Sequence, residues 1–114
     1  MTIERVEQDT VAFRVESAIA WVRFHRPEKR NCMSPKLNRQ MMRVLDALEF
    51  RGDVGVLVLT GAGTAWSAGM DLKEYFRETE AAGLQAIRTA QREAYGWWRR
   101  LRWYQKPTIA MVNG

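Results

Sequence analysis

The chain has 114 residues, 46% hydrophobic and 27% charged, with 18 basic and 13 acidic side chains for a net charge of +5. This is ordinary globular composition at the size of one domain. No apolar run approaches the ~20 residues of a membrane-spanning helix, and the first residues lack the charged-then-apolar layout of a signal peptide. The single Cys32 cannot close an internal disulfide, so a cytoplasmic setting is the expectation.

Val11 to Val15 alternates apolar and polar residues, the pattern of a half-buried strand. Ile19 to Phe24, rich in β-branched and aromatic residues, reads as a second strand. Ser17-Ala18 between them is a turn, which predicts a hairpin. Residues 25–34 are polar, and Pro27 pushes Arg26 away from helix, so this stretch reads as a loop. Ser34-Pro35 then starts a helix, with Ser34 as N-cap and Pro35 in the first position. Leu37, Met41, Val44, Leu45 and Leu48 follow on one face, and Gly52 is expected to close it.

Val54 to Thr60 is a continuous apolar run that suits a strand buried on both faces; Gly61-Ala62-Gly63 ends it. A helix is expected to begin near Asp71. A longer one is expected over about 80–104, with Leu84, Ile87, Gln91, Ala94, Trp98 and Leu101 stepping by three and four until Pro107 stops it. Thr108 to Val112 reads as a further buried strand. This alternation of strands and helices implies an α/β fold with right-handed crossovers.

Residues 1–80 are balanced in charge, so the excess sits in residues 81–114, where six basic groups face Glu93 alone. Trp97, Trp98, Trp103 and Tyr104 are interleaved with them, as on a surface that binds single-stranded nucleic acid. No nucleic-acid motif accompanies them, and a solvated helix face with the aromatics packed inward is the favoured reading. Gly61-x-Gly63 lacks the third glycine of a dinucleotide fingerprint, since Trp66 stands there. His25 has no catalytic partners around it, Cys32 reads as a packing residue, and no metal-ligand spacing is present. Glu74 and Glu78 share a helical face, more often solvated than an acid/base pair.

Trp66 to Tyr75 is the informative segment. It follows a buried strand and a glycine-rich turn and opens a helix, and small Ala68 and Gly69 let a ligand come close to the backbone. An amide with no internal partner at such a helix start can stabilise an oxyanion. Asp71 as a plain helix cap is the alternative.

In order and spacing, four stretches resemble the crotonase (enoyl-CoA hydratase/isomerase) superfamily. They are Arg26-Pro27-Glu28-Lys29-Arg30-Asn31, the strand Val56–Thr60, Ala68-Gly69-Met70-Asp71-Leu72, and Lys106-Pro107-Thr108-Ile109-Ala110-Met111-Val112-Asn113-Gly114. Within it, Gly61 to Arg77 is most similar to the hydroxycinnamoyl-CoA (feruloyl-CoA) hydratase/lyase branch; fatty-acid-type hydratases usually have a smaller residue than Met70 and lack Tyr75. His25 and Cys32 depart from the family's usual Asn and Ala.

The resemblance implies a crotonase-like (ββα-type) α/β fold, with residues 1–114 as the N-terminal part of one such domain. It implies hydration of feruloyl-, caffeoyl- or p-coumaroyl-CoA and retro-aldol cleavage to an aromatic aldehyde and acetyl-CoA. Another acyl-CoA hydratase or isomerase of the superfamily is the alternative. The backbone amide of Met70 would be one half of the oxyanion hole. Lys29 and the run Ala68, Gly69, Met70, Asp71, Leu72 and Lys73 would bind CoA, and Tyr75 would take the phenolic oxygen. No metal is implied, and no cofactor apart from CoA, which is part of the substrate; neither nucleic acid nor a membrane is expected as a partner. The second amide and the catalytic glutamate are expected beyond Gly114, so the fragment alone is expected to be inactive, and the whole protein to form a homotrimer or a pair of trimers.

Overall fold

The computed structural model describes residues 10–80 and 82–114 and the backbone of residues 4–7. The start of the chain, read above for a leader, lies partly outside the described residues. Five strands form one mixed sheet in sequential order: β1 (Glu4–Glu7), β2 (Val11–Glu16), β3 (Ile19–Phe24), β4 (Val56–Gly61) and β5 (Thr108–Ala110). The first three are antiparallel neighbours; β3, β4 and β5 run parallel. β1 was not foreseen from the sequence.

The β2–β3 hairpin turns on Ser17 and Ala18, with φ of 53° and 65°. Two consecutive positive φ values give the tight two-residue turn whose twist matches the strands. The crossover from β3 to β4 runs through α1 (Pro35–Leu48), and that from β4 to β5 through α2 (Leu72–Thr79) and α3 (Gly83–Arg102).

The start of α1 is as read: Ser34 Oγ accepts from Leu37 N at 3.1 Å and Pro35 opens the helix. Leu37, Met41, Val44, Leu45 and Leu48 are all buried against Val11, Phe13, Val22, Phe24, Leu57 and Leu59. The helix closes at Glu49 rather than Gly52, because Glu49 still bonds back to Leu45 O and its carboxylate is held by Arg100 and Gln105 N.

Three expectations need correction. The long helix starts at Gly83, and its inward face is Ala90, Ala94 and Trp97, while Leu84, Ile87 and Trp98 are exposed. Ala94 and Leu101 of the expected stripe do face the core, but Ala90 and Trp97 take the places expected of Gln91 and Trp98, because Trp97 finds partners inside and Trp98 does not. Trp97 packs edge-on to Phe24 at 6.0 Å and donates its indole N–H to Asn38 Oδ1 at 2.8 Å. The last strand ends at Ala110 rather than Val112, and among the described residues β4 is its one neighbour. Finally, the aromatics of the basic third do not all face inward: Trp97 and Tyr104 are covered, whereas Trp103 is 74% exposed.

Lys106, in the stretch that carries the family resemblance, has a structural task. Its ammonium donates to the carbonyls of Arg51, at 2.6 Å, and Val54, tying the approach to β5 to the turn that leads into β4.

Candidate active site

The glycine-rich turn after β4 folds back on itself at Gly61, where a Cβ would run into the carbonyl oxygens of Ala65 and Trp66. Two buried or half-buried asparagines grip this turn from opposite sides. Asn31, fully buried, donates through Nδ2 to Ala62 O at 2.9 Å and Ala65 O at 2.8 Å, and its Oδ1 accepts from Arg26 N at 2.8 Å. Its φ of 56° is left-handed, a region asparagine tolerates better than most residues. On the other side Asn113 Oδ1 accepts from Gly61 N at 3.0 Å, while Nδ2 donates to Gly61 O at 2.9 Å and Gly63 O at 3.1 Å. Trp66 packs edge-on to Phe24 at 5.5 Å and seats the turn on the core.

Beyond the turn the chain runs alongside residues 30–33. Ala68 N donates to Arg30 O at 2.9 Å, Met33 N to Gly69 O at 2.6 Å, and Asp71 N to Met33 O at 2.8 Å, forming a parallel bridge between Met33 and Met70. In such a bridge the paired groups belong to the residues before and after Met70, so the N–H and C=O of Met70 point the other way. Among the described residues the Met70 N–H has no hydrogen-bond partner. Gly69 reaches this geometry at φ 95°. The free amide thus arises from strand pairing rather than from the first turn of α2, which begins two residues later at Leu72.

Asp71 locks the segment. Its Oδ1 caps α2 by accepting from Glu74 N at 3.1 Å, and its Oδ2 pairs with Arg26 Nη1 at 3.0 Å with both side chains nearly buried. The same guanidinium nitrogen donates to Cys32 O at 2.8 Å. Burial pulls the Asp71 carboxyl upward, but the Glu74 amide, the Arg26 guanidinium and the Cys32 thiol outweigh it and hold the group below its ordinary range. Cys32 shifts the opposite way: burial pushes its thiol up against the pull of Arg26, with Asp71 adding to the rise. It stays a thiol beside the ion pair, 3.6 Å from Arg26 Nη1, rather than an activated nucleophile.

Asp71 is therefore turned inward, while Ala68, Met70, Leu72 and Lys73 are exposed and Gly69 half-buried. Lys29 lies exposed in the short 3-10 turn Pro27–Lys29. Glu74 and Glu78 are spent on Arg77 and Arg39. Tyr75 stands one turn past Asp71, half-buried, and its hydroxyl oxygen accepts from Asn38 Nδ2 in α1. The residues that hold the Met70 loop in place, Arg26, Asn31 and Asn113, were not given that task from the sequence. Of these contacts only the cap at Asp71 was legible, as the alternative reading of that residue.

No helix among the described residues is long and apolar enough to cross a membrane. The enoyl-CoA hydratase/isomerase family model matches residues 14–114. Over 106 residues the chain is 59% identical to hydroxycinnamoyl-CoA hydratase-lyase of Pseudomonas fluorescens, covering 92% of this chain and 38% of that protein. It is 34% identical over 96 residues to 4-chlorobenzoyl coenzyme A dehalogenase-2 of an Arthrobacter species, covering 84% of this chain and 35% of that one. Its fold superposes with a TM-score of 0.83 and 30% identity on the crystal structure of an enoyl-CoA hydratase/isomerase from Xanthobacter autotrophicus Py2, covering 92% of this chain and 39% of that one. The chain spans well under half the length of each of these relatives.

Proposed function

This chain belongs to the enoyl-CoA hydratase/isomerase family, and from that premise we propose that it supplies the acyl-CoA side of a hydroxycinnamoyl-CoA hydratase-lyase active site. In the first step water adds across the side-chain double bond: hydroxide goes to the β-carbon and a proton to the α-carbon, by way of a thioester enolate. In the second step the β-hydroxyl loses its proton, the bond between the α- and β-carbons breaks, and an aromatic aldehyde leaves. The enolate of acetyl-CoA takes a proton at the α-carbon. No oxidant or reductant is needed.

Both steps place negative charge on the thioester oxygen, and the observation that carries this reading is the unspent Met70 N–H on a braced loop. A donor held in place by surrounding hydrogen bonds stabilises developing charge with no reorganisation cost. Exposed Lys29 and Lys73 suit the phosphates of CoA as point charges. The carboxylate of Asp71 serves the loop and leaves only its backbone to line the ligand. The second amide and the glutamate that handles water belong, by family resemblance, to residues outside these 114, as does the trimeric assembly.

The reading is tested by offering the full-length protein feruloyl-CoA and crotonyl-CoA in parallel. Release of vanillin and acetyl-CoA from the first is the expected result. Turnover of crotonyl-CoA alone would assign the chain to another hydratase of the family.

A further inference from the structure

Three residues from three helices form a hydrogen-bond chain beneath the loop. Trp97 Nε1 in α3 donates to Asn38 Oδ1 in α1 at 2.8 Å, and Asn38 Nδ2 donates to the Tyr75 hydroxyl oxygen in α2. The direction of this chain is not adjustable. An indole N–H can only donate, so the atom facing it must be the amide oxygen, and the amide nitrogen must face Tyr75. Asn38 is 1% exposed and Trp97 2% exposed, so no water competes for either group.

The consequence falls on Tyr75. Its oxygen already accepts from Asn38, so its one O–H proton cannot be aimed there. Among the described residues no acceptor takes that proton. Burial, opposed by the Asn38 hydrogen bond and reinforced by Glu93 and Glu78, raises the pKa of the hydroxyl and keeps it protonated. We infer that Asn38, locked by Trp97, is a positioning residue that fixes Tyr75 as a hydrogen-bond donor for the ring oxygen of the substrate. This rests on the reading of Tyr75 as the residue that meets the phenolic oxygen. A fixed donor favours an oxygen offering lone pairs, and a phenolate most of all. A tyrosine free to turn would accept from a phenol as readily as donate to it, and would discriminate less.

The test measures kcat/KM of the full-length protein for 4-hydroxycinnamoyl-CoA and for cinnamoyl-CoA, and compares the ratio between variants, so that the ring's intrinsic electronic effect cancels. Tyr75→Phe should lower the ratio by about tenfold or more. Asn38→Asp presents carboxylate oxygens to both Trp97 and Tyr75, draws the tyrosine proton inward, and should lower the ratio to about the Tyr75→Phe value; the double variant should fall no further. Trp97→Phe leaves the amide of Asn38 free to turn and should lower the ratio in the same direction. If Asn38→Asp does not fold, Trp97→Phe decides alone. A lowered ratio in Tyr75→Phe beside wild-type ratios in the Asn38 and Trp97 variants would overturn the positioning role and leave the substrate reading standing. A wild-type ratio in Tyr75→Phe would overturn that reading, and the inference with it.

Discussion

Asn31→Ala is expected to destabilise the chain by about 3–5 kcal/mol and to release the glycine-rich turn. The carboxamide serves three backbone groups at once, Arg26 N–H and the carbonyls of Ala62 and Ala65, and it is fully buried. Each such group left without a partner costs about 1–3 kcal/mol, less wherever water can enter. Alanine also loses about 1 kcal/mol at a left-handed φ that asparagine accommodates. Asn31→Asp should recover only part of the loss, because a carboxylate still accepts from Arg26 N but offers no proton to Ala62 or Ala65. Urea unfolding of the three proteins checks this; a shift worth less than about 1 kcal/mol for Asn31→Ala would mean that the turn holds its shape without the amide.

The second large effect concerns activity. Met70→Pro removes the N–H that the site is proposed to use, and kcat in the full-length protein should fall by about 10²–10³-fold, the usual effect of losing one oxyanion donor. The substitution breaks no internal hydrogen bond, since among the described residues that N–H has no partner, while the bonds from Met33 N to Gly69 O and from Asp71 N to Met33 O remain available. Met70→Ala keeps the amide and should stay within about tenfold of wild type, reflecting lost side-chain contact alone. Equal losses in the two variants would place the effect in the Met70 side chain and remove the amide from the mechanism.

The fold was legible wherever the determining interactions are local. Ser34-Pro35 announces α1, the run into Thr60 announces β4, and Asp71 as a cap after the glycine-rich turn announces α2. The phase of α3 was not legible, because Trp97 and Trp98 are neighbours with equal hydrophobicity. The choice between them is made by Phe24 and Asn38, 73 and 59 residues earlier in the chain.

The same distinction divides the site. Met70 and Asp71 stand in a local arrangement of small residues, cap and helix start, and could be singled out. Asn31 and Asn113 act on carbonyls and amides 31 to 52 residues away, through side-chain bonds that follow no periodicity. Arg26 reaches Asp71 across 45 residues in the same way. The local residues carry the chemistry proposed for this loop, and the distant ones brace the loop that holds the Met70 amide.

A crystal structure of the full-length protein with a bound hydroxycinnamoyl-CoA analogue would measure the distance from the thioester carbonyl oxygen to Met70 N. About 2.7–3.1 Å is the expected result, with the N–H directed at that oxygen. A thioester oxygen held by other donors, with the Met70 amide turned toward a protein carbonyl, would contradict it.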